Sequence, residues 1–202
     1  MASIETIQEI ILASNSETRK LMLEKTGIQF TQVGASLDED IVKKNNPELS
    51  ATELGLILAQ GKALEISKLH PDAYVIGADQ VCEFNGEFLD KPGTKENCIL
   101  HLKKLSGNTH TQNCSIALAL NGEIIWTHQS KAELTMRRLT EEEIDAYVEL
   151  ENPIYSCGSY MFERHGKHLF LSVEGNDDVI LGLSLVELLN KLYELHLIEL
   201  KA

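Results

Sequence analysis

The strongest local constraint in this sequence is the pair Asn85-Gly86, which lies between short runs of strand-forming residues at 81–84 and 87–89. Both residues of an Asn-Gly pair tolerate positive φ, so the pair favours the two-residue type I′ turn of a β-hairpin. A second pair, Asn121-Gly122, joins longer strand-like runs within residues 109–134. The sequence therefore predicts two hairpins, the second longer than the first.

Helix-like and strand-like segments alternate in the rest of the chain. Short apolar runs predict strands at 9–13, 30–33, 74–78 and 169–173. Helix formers and helix-ending residues predict helices at 17–26, 50–68, 95–105, 140–152 and 184–196. Ser50 and Thr140, each followed three residues later by Glu, open two of these helices with a capping box. We expect a mixed α/β fold, with residues 1–202 as one domain and a lobe around residues 109–175 bounding a cleft.

The composition argues against several classes of protein. With 18 Lys and Arg against 31 Asp and Glu, the formal net charge is −13, which repels nucleic-acid backbones and anionic lipid. The apolar runs are far shorter than the ~20 residues of a membrane span, and the N-terminus does not resemble a secretory signal. The four cysteines are widely spaced and read as reduced thiols. We expect a cytoplasmic protein that binds neither nucleic acid nor membranes.

A polar turn before the first predicted helix offers a binding site for an anion. It contains Ser14, Ser16 and Arg19. Free backbone N–H groups at a helix start, together with hydroxyls and a guanidinium, suit phosphate. The alternative is that Ser16 only caps the helix and Arg19 is a solvated side chain. The turn lacks the glycines of a Walker loop or a dinucleotide-binding fingerprint.

A carboxylate follows the predicted strand at 74–78, at the edge where open α/β sheets bind ligands. Asp79 could bind a metal or activate water there, or it could be an Asx-turn residue that closes the strand. Lys62 on the preceding helix and Lys91 after the first hairpin are further candidates. Single lysines are usually solvated, although Pro92 restricts the backbone of Lys91.

Two other groups of residues could hold a metal ion. The acidic run Asp38-Glu39-Asp40 offers ligands for a hard cation, but such runs are more often solvated loops. His165 and His168 could form a zinc pair, although they lie in a tail rich in strand-like residues. Neither pattern is specific.

Six short motifs follow one another along nearly the whole chain. They are Leu12-Ala13-Ser14-Asn15-Ser16 with Arg19, Asp38-Glu39, Lys62-Ala63, Ile76-Gly77-Ala78-Asp79, Lys91-Pro92, and Ser106-Gly107 with Thr109-His110. In this order they resemble the Maf family of nucleoside triphosphate pyrophosphatases. One such motif is weak, but six in register are a strong resemblance. It implies the Maf fold, a twisted mixed sheet flanked by helices, similar to that of inosine triphosphate pyrophosphatases.

Finer features resemble the branch of the family that hydrolyses 7-methyl-GTP. They are Gln80 after Asp79, the stretch 157–160, and Glu163 where other members carry Gln. A carboxylate such as Glu163 can accept hydrogen bonds from the N–H donors on the Watson–Crick edge of a purine. The branch that acts on dTTP and UTP typically has Thr where Gln80 stands.

Five positions depart from the family or branch pattern. Thr18 replaces the branch's Trp, which removes an aromatic face suited to a methylated, positively charged base. Glu17 stands at the family's Pro and adds a negative charge beside the expected phosphate site. Met161, Val179 and Ser184 replace a Lys, an Asn and a Pro.

The resemblance implies hydrolysis of a nucleoside triphosphate, with 7-methyl-GTP as the expected substrate, to the monophosphate and pyrophosphate. It implies Asp79 as proton acceptor and metal ligand, Glu39 as a second ligand, and Mg²⁺ or Mn²⁺ as cofactor. The phosphate-binding residues it implies are Ser14, Ser16, Arg19, Lys62 and Lys91, and the specificity residues are Thr18, Gln80 and Glu163. It also implies a homodimer.

Three alternatives remain open at this point. The first is a Maf pyrophosphatase for dTTP and UTP, and the second is a nucleotide-binding regulator with little turnover. The third is a protein that binds partners through an exposed leucine face at Leu185, Leu189 and Leu192. Helical leucines at this spacing usually belong to the core or to a dimer seam.

Overall fold

The computed structural model describes residues 2–201 and has the predicted mixed α/β architecture. Its strands are β1 (Ser3–Thr6), β2 (Ile10–Ala13), β3 (Thr31–Gln32), β4 (Tyr74–Phe84), β5 (Glu87–Phe88), β6 (Thr109–Leu120), β7 (Glu123–Met136), β8 (Phe170–Glu174) and β9 (Ile198–Lys201). Its α-helices are α1 (Glu17–Glu24), α2 (Glu39–Asn45), α3 (Ala51–Leu69), α4 (Lys95–Leu105), α5 (Glu141–Glu151), α6 (Asp177–Ile180) and α7 (Leu185–Glu194). Two 3₁₀ helices span Cys157–Ser159 and His165–Leu169.

Seven strands form one mixed sheet in the order β3-β2-β4-β6-β7-β8, with β5 paired to β4. The pairs β2–β3 and β2–β4 are parallel, and the other pairs are antiparallel. Strands β6 and β7, from the region 109–175, therefore continue the sheet that the N-terminal strands begin. Strands β1 and β9 pair with each other in a separate two-stranded sheet.

Both predicted hairpins are confirmed. Asn85 and Gly86 have φ angles of 53° and 80°, and Asn121 and Gly122 have 51° and 74°, the positive values that a type I′ turn needs. Both capping boxes are also present, because the Ser50 and Thr140 hydroxyls accept from the N–H groups three residues on, whose Glu side chains reach back. Local chemistry thus fixes these element ends.

The strand predicted at 74–78 continues to Phe84, so Asp79 lies within β4 and the Asx-turn alternative is wrong. The pairing of β4 with β2 ends at Gly77, opposite Ala13, whereas its pairing with β6 continues to Glu83. Asp79 therefore lies just beyond the carboxyl end of β2, at an edge where α/β sheets bind ligands, although its own strand does not end there.

The acidic run at 38–40 is not a loop, which corrects the more common interpretation of such runs. Asp38 is the N-cap of α2 and accepts from the Ile41 N–H at 3.0 Å. Glu39 is therefore the first residue of a helix, which fixes the position of its backbone. Helix α2 itself was not predicted, and neither were β1, β9, α6 and the two 3₁₀ helices.

Helix α3 packs closely on one face of the sheet. Its Ala59 and Ala63 are buried in a cluster with Ala117 and Ala119 of β6, and these small side chains let helix and strands approach. The opposite face carries the main core, which includes the fully buried Leu188 and Leu192 of α7. Leu185 and Leu189 pack against the same core, so the leucine face is not free for a partner.

The four cysteines are unpaired thiols, as the spacing predicts. Within residues 2–201, no helix is both long enough and apolar enough to cross a membrane.

Candidate active site

A cleft of about 570 Å³ lies at the end of the parallel strand pair, bounded by the N-terminal elements and by residues 155–163. All ten side chains predicted for the site line it: Ser14, Ser16, Thr18, Arg19, Glu39, Lys62, Asp79, Gln80, Lys91 and Glu163. They come from segments as far apart in the chain as α1 and the turn before β8. The fold therefore brings the predicted residues into one volume.

The deepest charged group of the cleft is the carboxylate of Asp79, which is 5% exposed. Its Oδ1 lies 2.6 Å from Lys62 Nζ, and the same ammonium lies 2.7 Å from Glu39 Oε1. Lys62 is itself largely buried, so the interpretation of Lys62 as a solvated lysine is wrong. One lysine therefore holds two carboxylates close together.

The two carboxylates differ in their pKa because they differ in depth. Burial raises the pKa of Asp79, and this effect outweighs the opposing charges of Lys62 and Arg19. Burial also acts on Glu39, but there the positive charges of Lys62, Lys91 and Lys43 prevail and its pKa is lowered. Asp79 is thus a stronger base than an ordinary aspartate, as a group that accepts a proton should be, whereas Glu39 is a weaker base than an ordinary glutamate.

The alternation of side chains along β4 explains this placement. Asp79 points to the face covered by α3, and its neighbour Gln80 points to the opposite face. Lys62 reaches Asp79 because α3 crosses the sheet at very short range: a Cβ at Gly77 would lie 2.2 Å from the carbonyl oxygen of Ala59. The glycine at 77 thus permits the approach that forms the ion pair.

The turn between β2 and α1 is tightly organised. Ser16 is the N-cap of α1, and its Oγ accepts from the Arg19 N–H at 3.3 Å, while Ser14 Oγ accepts from the Ser16 N–H at 3.2 Å. Gln32 donates to the Ser14 carbonyl at 2.8 Å. Ser16 is therefore a capping residue, but Arg19 is not simply solvated, because its Nε donates to the Gly182 carbonyl at 2.7 Å.

Three other predicted residues occupy the walls of the cleft. Thr18 Oγ1 donates to Glu163 Oε1 at 3.1 Å, which joins α1 to the segment before the second 3₁₀ helix. The amide nitrogen of Gln80 donates to backbone carbonyls of α6 rather than into open space. Lys91 is exposed and makes no salt bridge among the residues that the structure describes.

Comparison with known proteins identifies the family. A family model described as Maf-like protein matches residues 9–195. The chain belongs to the Maf family. The family model thus covers every residue of the cleft, from the turn after β2 to the segment after α6.

Relatives of this Maf protein match over nearly their whole length. The nucleoside triphosphate pyrophosphatase of Legionella pneumophila (strain Philadelphia 1) is 37% identical over 189 residues, 94% of each chain. The 7-methyl-GTP pyrophosphatase of Rhizobium johnstonii is 37% identical over 195 residues, 95% of this chain and 98% of the relative. The solved Ham1 protein of Staphylococcus aureus is 16% identical, with a TM-score of 0.47 over 94% of this chain and 100% of that one. The family assignment depends on the sequence matches.

Two side chains that sequence reasoning missed also line the cleft of this Maf protein. Gln112 of β6 is 1% exposed and donates to the Tyr160 hydroxyl at 2.7 Å. Tyr155 is 78% exposed and lies in the turn after α5. A polar residue at an inward-facing position of a strand was the available signal for Gln112, whereas no local pattern indicates Tyr155.

The cleft carboxylates also suit the divalent cation that the Maf resemblance implies. Mg²⁺ is commonly bound by one or two carboxylates together with substrate phosphates and water. Asp79 and Glu39 converge on the point that the Lys62 ammonium occupies. Among residues 2–201 there is no cluster of three or more Asp, Glu, His or Cys that could hold a metal alone. The donor set therefore fits a cation whose coordination is completed by the substrate.

The two histidines considered as a zinc pair lie elsewhere. His165 Nδ1 contacts the buried carboxylate of Glu151, and the rings of His165 and His168 are 6.4 Å apart. No third ligand joins them within the described residues. The structure gives the zinc alternative no support.

Proposed function

We propose that this Maf protein hydrolyses a nucleoside triphosphate at the α-phosphorus and releases the nucleoside monophosphate and pyrophosphate. The observation that carries this proposal is the ion-paired group of the buried Asp79, Lys62 and the partly exposed Glu39, inside a cleft that also contains Arg19 and Lys91. Phosphoryl transfer depends mostly on positioning and on the stabilisation of developing negative charge. A buried base in a cleft lined by three cationic side chains provides both.

In the proposed reaction a water molecule attacks the α-phosphorus while the bond from that phosphorus to the bridging oxygen of the β-phosphate breaks. Asp79 accepts the proton of the water, and the electron pair of the broken bond leaves on pyrophosphate. Lys62, Arg19 and Lys91 bind the phosphate oxygens and balance the charge that develops on the leaving group. Ser14 and Ser16 form the turn that orients the N-terminus of α1 and Arg19.

A divalent cation bound by Asp79 and Glu39 would supply Lewis-acid polarisation of the phosphate oxygens. The two carboxylates are already placed for this role by the N-cap of α2 and by β4. In this structure Lys62 keeps them close by offsetting their mutual repulsion, because its ammonium contacts both. A cation that binds the two carboxylates would take the place of the ammonium and leave Lys62 to the phosphate oxygens.

We propose 7-methyl-GTP as the substrate. The support is the Glu163 carboxylate at the cleft wall, which can accept from purine N–H donors, together with the identity to a relative of that name. Glu163 is exposed, and its one side-chain partner in the described residues is the Thr18 hydroxyl. That weak contact leaves its second oxygen available for a base. Of the other two specificity residues that the resemblance implies, Thr18 contacts Glu163, whereas the Gln80 amide nitrogen donates to the backbone carbonyls of Val179 and Ile180.

A panel of nucleotides tests this proposal. We expect pyrophosphate release from 7-methyl-GTP, with Mg²⁺ or Mn²⁺, to exceed release from GTP, UTP, dTTP and CTP by about tenfold or more in kcat/KM. Against the pyrimidines, hydrogen bonds from purine N–H donors to the charged Glu163 carboxylate give that difference. GTP has the same N–H donors, and there the positive charge of the methylated base beside the carboxylate gives it. A preference for UTP and dTTP would support the proposed reaction but contradict 7-methyl-GTP as the substrate. Binding of nucleotides without any release would instead identify a regulator.

The substitution Glu163→Gln tests whether the Glu163 carboxylate recognises the nucleobase. Glu163→Gln replaces an acceptor oxygen by a donor, so the ratio of purine to pyrimidine kcat/KM is expected to fall about tenfold. Pyrophosphate release at saturating substrate should stay within about threefold. Glu123→Gln, at an exposed position outside the cleft, is the matched control. Equal losses on every nucleotide would count against recognition of the base by Glu163.

A further inference from the structure

The guanidinium of Arg19 is held in place by a backbone group from a distant part of the chain. Arg19 Nε donates to the carbonyl oxygen of Gly182 at 2.7 Å, and its Nη1 lies 3.4 Å from Ser14 Oγ. Gly182 follows α6, more than 160 residues later in the chain. The orientation of Arg19 in the cleft therefore depends on where the segment that contains Gly182 lies.

Gly182 fits between Arg19 and Gln80. A Cβ at position 182 would lie 3.0 Å from Arg19 Nη2, 3.2 Å from Arg19 Nε and 3.4 Å from Gln80 Oε1, and the residue has a φ of +88°. Both the contact distances and the left-handed backbone restrict this position to glycine. The Arg19 guanidinium and the Gln80 amide thus both lie directly against the Gly182 backbone.

Gln80 fixes the segment Val179–Gly182 to the sheet. Its Nε2 donates to the carbonyl of Val179 at 3.1 Å and also to the carbonyl of Ile180. A primary amide has two N–H donors, so both are used and neither is left for a nucleobase. The segment is held at its other side by Asp178, whose carboxylate accepts from the N–H groups of Val179 and Leu185, each at 2.9 Å.

We propose that Gln80 is a positioning residue for Arg19, acting through the segment Val179–Gly182. The inference rests on the proposed function only for the role of Arg19 as a phosphate ligand. Gln80 and Asp79 are adjacent in β4 and point to opposite faces, so Gln80 serves the phosphate site from the side opposite Asp79. Loss of its amide should weaken binding of the phosphate chain of every nucleotide, whatever the base.

Inorganic pyrophosphate is the decisive probe, because it carries phosphate but no base. We expect Gln80→Leu to weaken pyrophosphate binding about tenfold, measured by calorimetry with the full chain in Mg²⁺ buffer, since a misplaced guanidinium loses charge-assisted hydrogen bonds. KM for all nucleotides should rise by a similar factor, while the ratios between nucleotides stay within about twofold. Gly182→Ala should produce the same pattern through its contact with Arg19, and it serves if the first variant does not fold.

The matched control is Gln129→Leu. Gln129 also donates its amide to a backbone carbonyl, that of Thr52 at 2.8 Å, but it lies outside the cleft. Pyrophosphate affinity should be unchanged in this variant.

The possible outcomes separate the two proposals. If the wild-type chain binds pyrophosphate but Gln80→Leu or Gly182→Ala leaves the affinity unchanged, the positioning role is overturned. If Gln80→Leu changes only the ratios of kcat/KM between nucleotides, Gln80 contacts the base instead. A wild-type chain that does not bind pyrophosphate would overturn the phosphate site and the proposed function with it.

Discussion

Replacing Asp79 by Asn is expected to lower kcat for pyrophosphate release by about 10³-fold, because a carboxamide cannot accept the proton of the attacking water. The substitution preserves shape in a site where the residue is 5% exposed, so the fold should persist. Lys62 would keep its contact with Glu39 at 2.7 Å and would not be left as an unpaired buried charge. Steady-state turnover under saturating Mg²⁺ is the measurement, with thermal unfolding as the check on the fold.

The pH dependence provides a second readout for the same residue. Burial raises the pKa of Asp79, so acidification should protonate it, and abolish kcat/KM, at a higher pH than for an ordinary aspartate. The pKa of Glu39 is shifted the opposite way, because the positive charges of its lysine neighbours outweigh the effect of burial, so Glu39 cannot account for an acidic limb that is raised in pH.

The matched control is Asp72→Asn, an exposed position just before the same strand. It should leave both turnover and the acidic limb unchanged. If the turnover of Asp79→Asn stays within about threefold of wild type, Asp79 is not the base.

The features predictable from sequence were those set by chemistry within a few residues. The type I′ turns at Asn85-Gly86 and Asn121-Gly122 and the capping boxes at Ser50 and Thr140 depend on local hydrogen bonds and backbone preferences, and all four were correctly placed. Their accuracy follows from the fact that no distant contact is needed to form them.

The features that sequence did not indicate either depend on distant contacts or lack a detectable apolar pattern. Strands β1 and β9 pair the two ends of the chain, residue 3 with residue 201, and neither has a strong pattern alone. Helix α2 contains no buried residue, so it has no apolar period to detect. The polar pair Asp79 and Gln80 interrupts the apolar run of β4, which made the strand look shorter than it is.

The same distinction between local patterns and distant contacts applies to the candidate site. Motif resemblance indicated which side chains to expect, and all ten lie in one cleft. It did not indicate that Lys62 contacts both Asp79 and Glu39, nor that Arg19 is held by the Gly182 carbonyl. Those relations join residues that are 17 to 163 positions apart, so they depend on how α3 and α6 pack on the sheet.

Replacing Gly77 by Ala is expected to destabilise the protein by about 3–5 kcal/mol, because the added methyl group has no space. Its Cβ would lie 2.2 Å from the Ala59 carbonyl oxygen and 2.8 Å from the Ala63 nitrogen, and both are backbone atoms of α3. The helix must move away from the sheet to admit it. For a chain of this size the melting temperature should fall by roughly 10 °C or more.

Gly61→Ala is the matched control within the same helix. A Cβ at Gly61 would contact Leu37 Cδ2 at 2.8 Å, the flexible end of a side chain that can rotate away, and Ala favours a helix over Gly by ~1 kcal/mol. Its melting temperature should therefore stay close to that of the wild type. A Gly77→Ala variant that melted as high as Gly61→Ala would show that α3 does not approach β4 as closely as these contacts require.

The same contact should link stability to activity. Gly77 precedes Asp79 by two residues and Lys62 precedes Ala63, so the spacing between α3 and β4 at Gly77 also sets the 2.6 Å separation of Lys62 and Asp79. A helix displaced by even 1 Å would lengthen that ion pair, and misplacement of this size can cost about 10²-fold in rate. We therefore expect folded Gly77→Ala, assayed well below its melting temperature, to lose turnover while Gly61→Ala keeps it. Full turnover in a destabilised Gly77→Ala variant would show that the contact between α3 and β4 at Gly77 does not affect catalysis.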